Sequence, residues 1–170
     1  AYLRSLQRRG ALTREVAASV RTPRGPKRLP RMPRANEAAA MLDEATAAAG
    51  SGDPRARRDR AILELLYGAG LRVSECCGLD VDDVDLRRCT VTVLGKGSKV
   101  RRLPLGEPAR SALAEYLDGS RELLFAVATD PVSGAPLFPN ARGRRISPRD
   151  VRRILDRHPL ADGRRVRSEE

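Results

Sequence analysis

The side chains of this 170-residue chain best suited to chemistry are an arginine set behind two glycines and a lysine set between two more. Arg72 follows Gly68-Ala69-Gly70-Leu71, and Lys96 lies in Gly95-Lys96-Gly97-Ser98-Lys99. Arginine stays charged at any working pH, and its planar fork can hold two oxygens of one phosphate. Lysine is a compact charge that can also give up a proton, which suits it to general acid work. Together they describe a phosphate clamp with a proton donor beside it. The same residues have a plainer reading: an arginine after a helix is often a surface ion pair, and Gly-Lys-Gly is often only a turn.

Two elements must position this pair. Residues 54–68 read as a helix that starts at Asp53-Pro54, buries a stripe of Ile62, Leu65, Leu66 and Ala69, and stops at Gly68–Gly70. Arg55, Arg57 and Arg58 fall in its first turn and read as surface charge. Ser74-Glu75 reads as a short polar turn. The alternation Cys89-Thr90-Val91-Thr92-Val93-Leu94, the glycine-rich tip and the run Val100–Leu105 read as a β-hairpin with Lys96 at its end. Arg72, Lys96, Lys99, Arg101 and Arg102 are expected on one basic face, contacting phosphates.

Three more helices are expected. Residues 36–49 have Asn36 as N-cap and Gly50 as stop. Residues 107–118 bury Ala109, Leu113, Tyr116 and Leu117, with Gly119 closing the helix. Residues 147–157 have Ser147 as N-cap, Val151, Ile154 and Leu155 inward, and Arg149 outward as a further candidate phosphate contact. The fold class is therefore α+β, mainly helical with a small antiparallel sheet within 84–105.

Composition supports a polyanion as partner. Lys and Arg number 33 against 22 acidic residues, a net charge of +11, which favours nucleic acid. Aromatics are only 3%, so alanine and leucine must fill the core, which suits helices. The three cysteines, Cys76, Cys77 and Cys89, lack metal-ligand spacing, and their odd number points to a reducing cytoplasm. No metal and no small-molecule cofactor is expected, and no apolar run reaches membrane-spanning length.

Gly70-Leu71-Arg72-Val73-Ser74-Glu75 resembles the first arginine motif of tyrosine recombinases, and Gly95-Lys96-Gly97-Ser98-Lys99-Val100-Arg101 resembles their β-hairpin lysine motif. The order and spacing also match, as does the intervening Gly78–Leu86, most closely in the manner of Xer-type bacterial recombinases. The likeness runs over about residues 21–156 and is strong over 59–105. It implies DNA recombination and integration on double-stranded DNA, alongside other recombinase protomers. Arg72 would hold the phosphate and Lys96 would protonate the leaving 5′-oxygen. It also implies three regions: a remnant of an N-terminal DNA-clasping domain (1–20), a linker (21–33), and a partial catalytic domain (34–170).

The pattern breaks after residue 156. His158-Pro159-Leu160-Ala161 has alanine where the family's His-x-x-Arg motif needs arginine. The tyrosines are Tyr2, Tyr67 and Tyr116, all ahead of the helix that should precede the nucleophile. The chain is thus expected to be a truncated, non-cleaving form with apolar surface left uncovered. The alternatives are a non-catalytic basic DNA-binding fragment or an RNA- or ribosome-associated protein.

Overall fold

The computed structural model describes residues 34–95, 99–126 and 135–158, all within one unit, Met32–Glu170. The clasping remnant and linker expected over 1–33, the residues Tyr2 and Lys96, and the chain from Pro159 onward lie outside the described residues.

The order is α1 (Ala35–Ala49), α2 (Pro54–Leu63), a π turn (Glu64–Gly68), α3 (Val73–Gly78) and a 3-10 turn (Val81–Asp83). There follow β1 (Val84–Asp85), β2 (Thr90–Leu94), β3 (Val100–Pro104), α4 (Glu107–Leu117), α5 (Ser120–Phe125) and α6 (Pro148–Arg157). The three strands form one antiparallel sheet in the order β1-β2-β3. The α+β expectation and its four long helical segments hold.

Helix α2 is the central element, packing on α1, α4, α5 and α6. Its start is as the sequence predicts: Asp53 Oδ1 accepts from Arg55 N–H at 3.1 Å, with Pro54 in the first turn. Ile62, Leu63 and Leu65 are fully buried against Leu113 and Tyr116 of the same core. Ser147 caps α6 as expected, its Oγ accepting from Asp150 N–H. Helix α1 differs from expectation. Its N-cap is Arg34, not Asn36, because Glu37 Oε2 accepts from Arg34 N–H at 2.8 Å and fixes the start two residues earlier.

Arg58 is not surface charge. It is buried with Asp59, donating from Nε at 3.0 Å and from NH2 at 2.7 Å to Oδ1, and from NH1 to the Pro139 carbonyl at 3.1 Å. Arg157 of α6 donates to the other Asp59 oxygen. The paired charges satisfy one another inside the fold and tie α2 to α6.

Among the described residues, the large exposed apolar side chains are Leu94, Val100 and Leu123. Leu94 and Val100 are cross-strand partners at the end of the β2–β3 pair, and with Leu123 they make up the uncovered apolar surface that large side chains contribute among the described residues. No described helix is long and apolar enough to cross a membrane.

Candidate phosphate-binding site

Arg72 reaches its place through a break in the helix before it. Residues 54–63 are α-helical, but Ala69 N–H then bonds the Glu64 carbonyl and Leu71 N–H the Leu65 carbonyl, both at 3.1 Å. This wide closing turn has Gly70 at φ +68°, a backbone region that side chains disfavour. The chain leaves it extended, with Arg72 as N-cap of α3 at φ −72°, ψ 151°.

Glu75 then organises the site. Its Oε2 accepts from Arg72 N–H at 2.8 Å, which caps α3, and its Oε1 accepts from Arg72 NH1 at 2.8 Å. Arg101, on β3, donates NH2 to the two carboxylate oxygens at 3.0 and 2.8 Å. The Glu75 side chain is 4% exposed, whereas those of Arg72 and Arg101 are 67% and 41% exposed. Burial opposes the charge on Glu75, but the Arg72 N–H and the two guanidinium groups outweigh it and hold the carboxyl below its ordinary value. One corner of the Arg72 fork is thereby fixed. Its Nε and NH2 bond no other described residue.

The other end of α3 is clamped as well. Arg145 NH1 donates to the Gly78 and Leu79 carbonyls at 3.1 and 2.9 Å, and its NH2 pairs with Asp80. These bonds satisfy carbonyls that a helix end leaves without partners. The bonds Leu137 N–H to Leu79 O and Val81 N–H to Ala135 O, both 2.9 Å, lace the following loop to the same corner.

The hairpin has the predicted alternation. Val91 and Val93 are buried, pair with Leu103 and Arg101, and so put those partners on the core side of the sheet. Thr92 pairs with Arg102, which lies exposed on the opposite side. Arg101 and Arg102 therefore do not share one basic face, because neighbours on a strand point opposite ways. At the root of the tip, Gly95 N–H donates to the Lys99 carbonyl at 2.8 Å, and Lys99 is exposed. Arg149 is exposed on α6, which packs on α3. Of the sequence candidates, the structure brings together Arg72 and Arg101, through a carboxylate the sequence reading treated only as part of a turn. The Arg-x-x-Glu spacing, which is also the N-cap to N3 spacing, was the available signal.

The two described tyrosines are poorly placed as nucleophiles. Tyr116 is buried, with its hydroxyl donating to the Leu137 carbonyl at 2.9 Å, and burial pushes its acidity well out of reach. Tyr67, half-buried in the π turn, is also shifted upward by burial. The Cys76 and Cys77 thiols are equally quiet: burial raises Cys77 to about 11 and Cys76 further.

The chain belongs to the phage integrase family, whose model matches residues 32–167. Within that family its relatives include Xer-type tyrosine recombinases. It is 46% identical over 148 residues to tyrosine recombinase XerC of Mycobacterium sp. (strain KMS), covering 87% of this chain and 48% of the relative. It is 47% identical over 146 residues to XerC of Mycobacterium tuberculosis (strain ATCC 25177 / H37Ra), covering 85% and 47%. The chain thus spans about half the length of the curated relatives it matches. Among solved structures, XerA recombinase superposes with a TM-score of 0.60 at 26% identity, over 81% of this chain and 43% of that one. XerH recombinase bound to its difH substrate shares the fold, with a TM-score of 0.64 at 24% identity, over 86% and 41%.

Proposed function

We propose that this chain binds duplex DNA through its backbone phosphates and belongs to a site-specific recombination system of the Xer type. Arg72 clamps one phosphate, and Lys96, between β2 and β3 in the sequence, is the acid that the family's lysine motif would use on a departing 5′-oxygen. Lys99, Arg102 and Arg149 add phosphate contacts from exposed positions. The observation that carries this reading is the Arg72 fork, fixed at one corner by Glu75 and open at the rest. Such preorganised charge stabilises a phosphoryl transition state without a metal. Residues 34–170 supply part of the catalytic domain and 21–33 a strap to the residues before it. The setting is the cytoplasm, with DNA and further recombinase protomers as partners.

Covalent strand transfer needs a nucleophile that reaches the held phosphorus. Among the described residues, Tyr116 is locked in the core and Tyr67 is half-buried, so neither is placed to attack, which supports a polypeptide that holds a phosphate without cleaving it. The test uses a labelled duplex, a structured RNA competitor and a nicked suicide duplex. The expected result is duplex binding that RNA competes with poorly, and no protein–DNA adduct on a denaturing gel. An adduct abolished by Tyr67→Phe would show a working nucleophile and reject the non-cleaving reading. A clear preference for RNA would reject the DNA reading.

A further inference from the structure

We propose that Arg101 is a positioning residue that locks strand β3 to Arg72 through Glu75, so that the sheet and the arginine fork are held as one unit. The inference rests on the phosphate-binding reading above and assigns Arg101 a role other than direct contact with DNA.

Strand register carries the first part of the argument. Arg101 lies opposite Val93, which is 2% exposed, and so points to the core side of the sheet, while Arg102 points outward. On that side its NH2 spans both oxygens of Glu75. Its Nε is enclosed without a hydrogen-bond partner. Among the described residues, Glu75 is thus the one acceptor that holds this guanidinium. The root of the tip closes the unit from above: a Cβ on Gly95 would stand 4.0 Å from Glu75 Oε1 and 3.3 Å from the Lys99 carbonyl. The backbone immediately before Lys96 therefore passes over the carboxylate that Arg72 and Arg101 share. Two cations around one buried anion leave a net single positive charge, and the geometry assigns the outward share to Arg72, the more exposed of the two.

A contact residue and a positioning residue respond differently to lysine. Arg101→Lys keeps the charge but replaces the guanidinium whose terminal NH2 reaches the two Glu75 oxygens with a shorter, differently shaped head. Anisotropy titrations of the full chain with a fluorescein-labelled duplex over a KCl series read both effects. If Arg101 positions Arg72, Arg101→Lys weakens binding about tenfold at fixed salt, the size expected when coupled neighbours are disconnected, and leaves the salt slope unchanged. The same substitution added to Arg72→Gln then costs little more. A second arm starts from Glu75→Gln, where the link is already broken and adding Arg101→Lys should again cost nothing. Arg101→Lys binding as wild type, or a loss that adds in full to both backgrounds, overturns the inference alone. A wild-type chain without salt-dependent affinity for the duplex removes the phosphate-binding reading and this inference with it.

Discussion

Replacing Glu75 by glutamine removes one charge from the middle of the site and leaves the shape almost unaltered. The wild-type carboxylate accepts a backbone N–H from Arg72 and side-chain bonds from Arg72 NH1 and Arg101 NH2. Glutamine keeps one carbonyl oxygen, enough for the N–H that caps α3, but its amide faces a guanidinium where an oxygen stood. Removing one member of a fully buried pair costs about 3–5 kcal/mol, because the other charge is stranded. Here the stranded cations are Arg72 and Arg101, 67% and 41% exposed, and both can turn to water. The expected loss is therefore smaller, about 1–2 kcal/mol at pH 7. The sign of the pH dependence follows from the lowered acidity constant of Glu75. Its stabilisation is complete above the ordinary value of 4.5 and is lost as pH falls through the lower folded value. Denaturant unfolding of wild type and Glu75→Gln, repeated from pH 7 into acid, should show a gap that closes below about pH 4.5. Equal stability at pH 7, or a gap that persists unchanged in acid, would refute this account of the site.

Two further substitutions probe the approach to Arg72. Gly70→Ala puts a side chain on a backbone at φ +68° with nothing within 4 Å of the new Cβ, so its cost is conformational alone: about 1–2 kcal/mol by thermal or denaturant unfolding. Glu64, 5% exposed at the start of the π turn, behaves oppositely to Glu75: burial raises its value, Arg60 lowers it and Asp43 raises it again. Its charged form is disfavoured in the fold, so Glu64→Gln should stabilise the protein at neutral pH by up to about 1 kcal/mol. That gain should fade as pH falls through the raised folded value and be gone below about 4.5, where wild type is protonated in both states; a destabilised variant at pH 7 would count against it.

The sequence showed most of the scaffold because its signals are local. Asp53-Pro54 and Ser147-Pro148 are helix starts with their own hydrogen-bond acceptors, and the alternation from Cys89 to Leu94 can only put Val91 and Val93 on one side. What it hid depends on partners distant in the chain. Arg58 looked like surface charge until Asp59 and the Pro139 carbonyl closed around it. Two short helices went unread: α3 because six residues give too little periodicity, and α5 because Gly119, at φ +80°, reads as a stop although a new helix starts directly after it. The site was half legible. Arg72 and Lys96 stand out by residue type and by resemblance, but the hold on Arg72 is a carboxylate shared with a strand 26 positions further along. The strand period that separates Arg101 from Arg102 was available in the sequence, and the expectation of a single basic face overlooked it.

The claim that Arg72 engages a backbone phosphate is tested most directly by the salt dependence of duplex binding, measured for wild type and Arg72→Gln under matched conditions. Each phosphate neutralised contributes about 0.9 to the slope of log affinity against log salt. The account predicts a steep slope for wild type and one shallower by about 0.9 for Arg72→Gln. Identical slopes for the two proteins, or an affinity indifferent to salt, would contradict it.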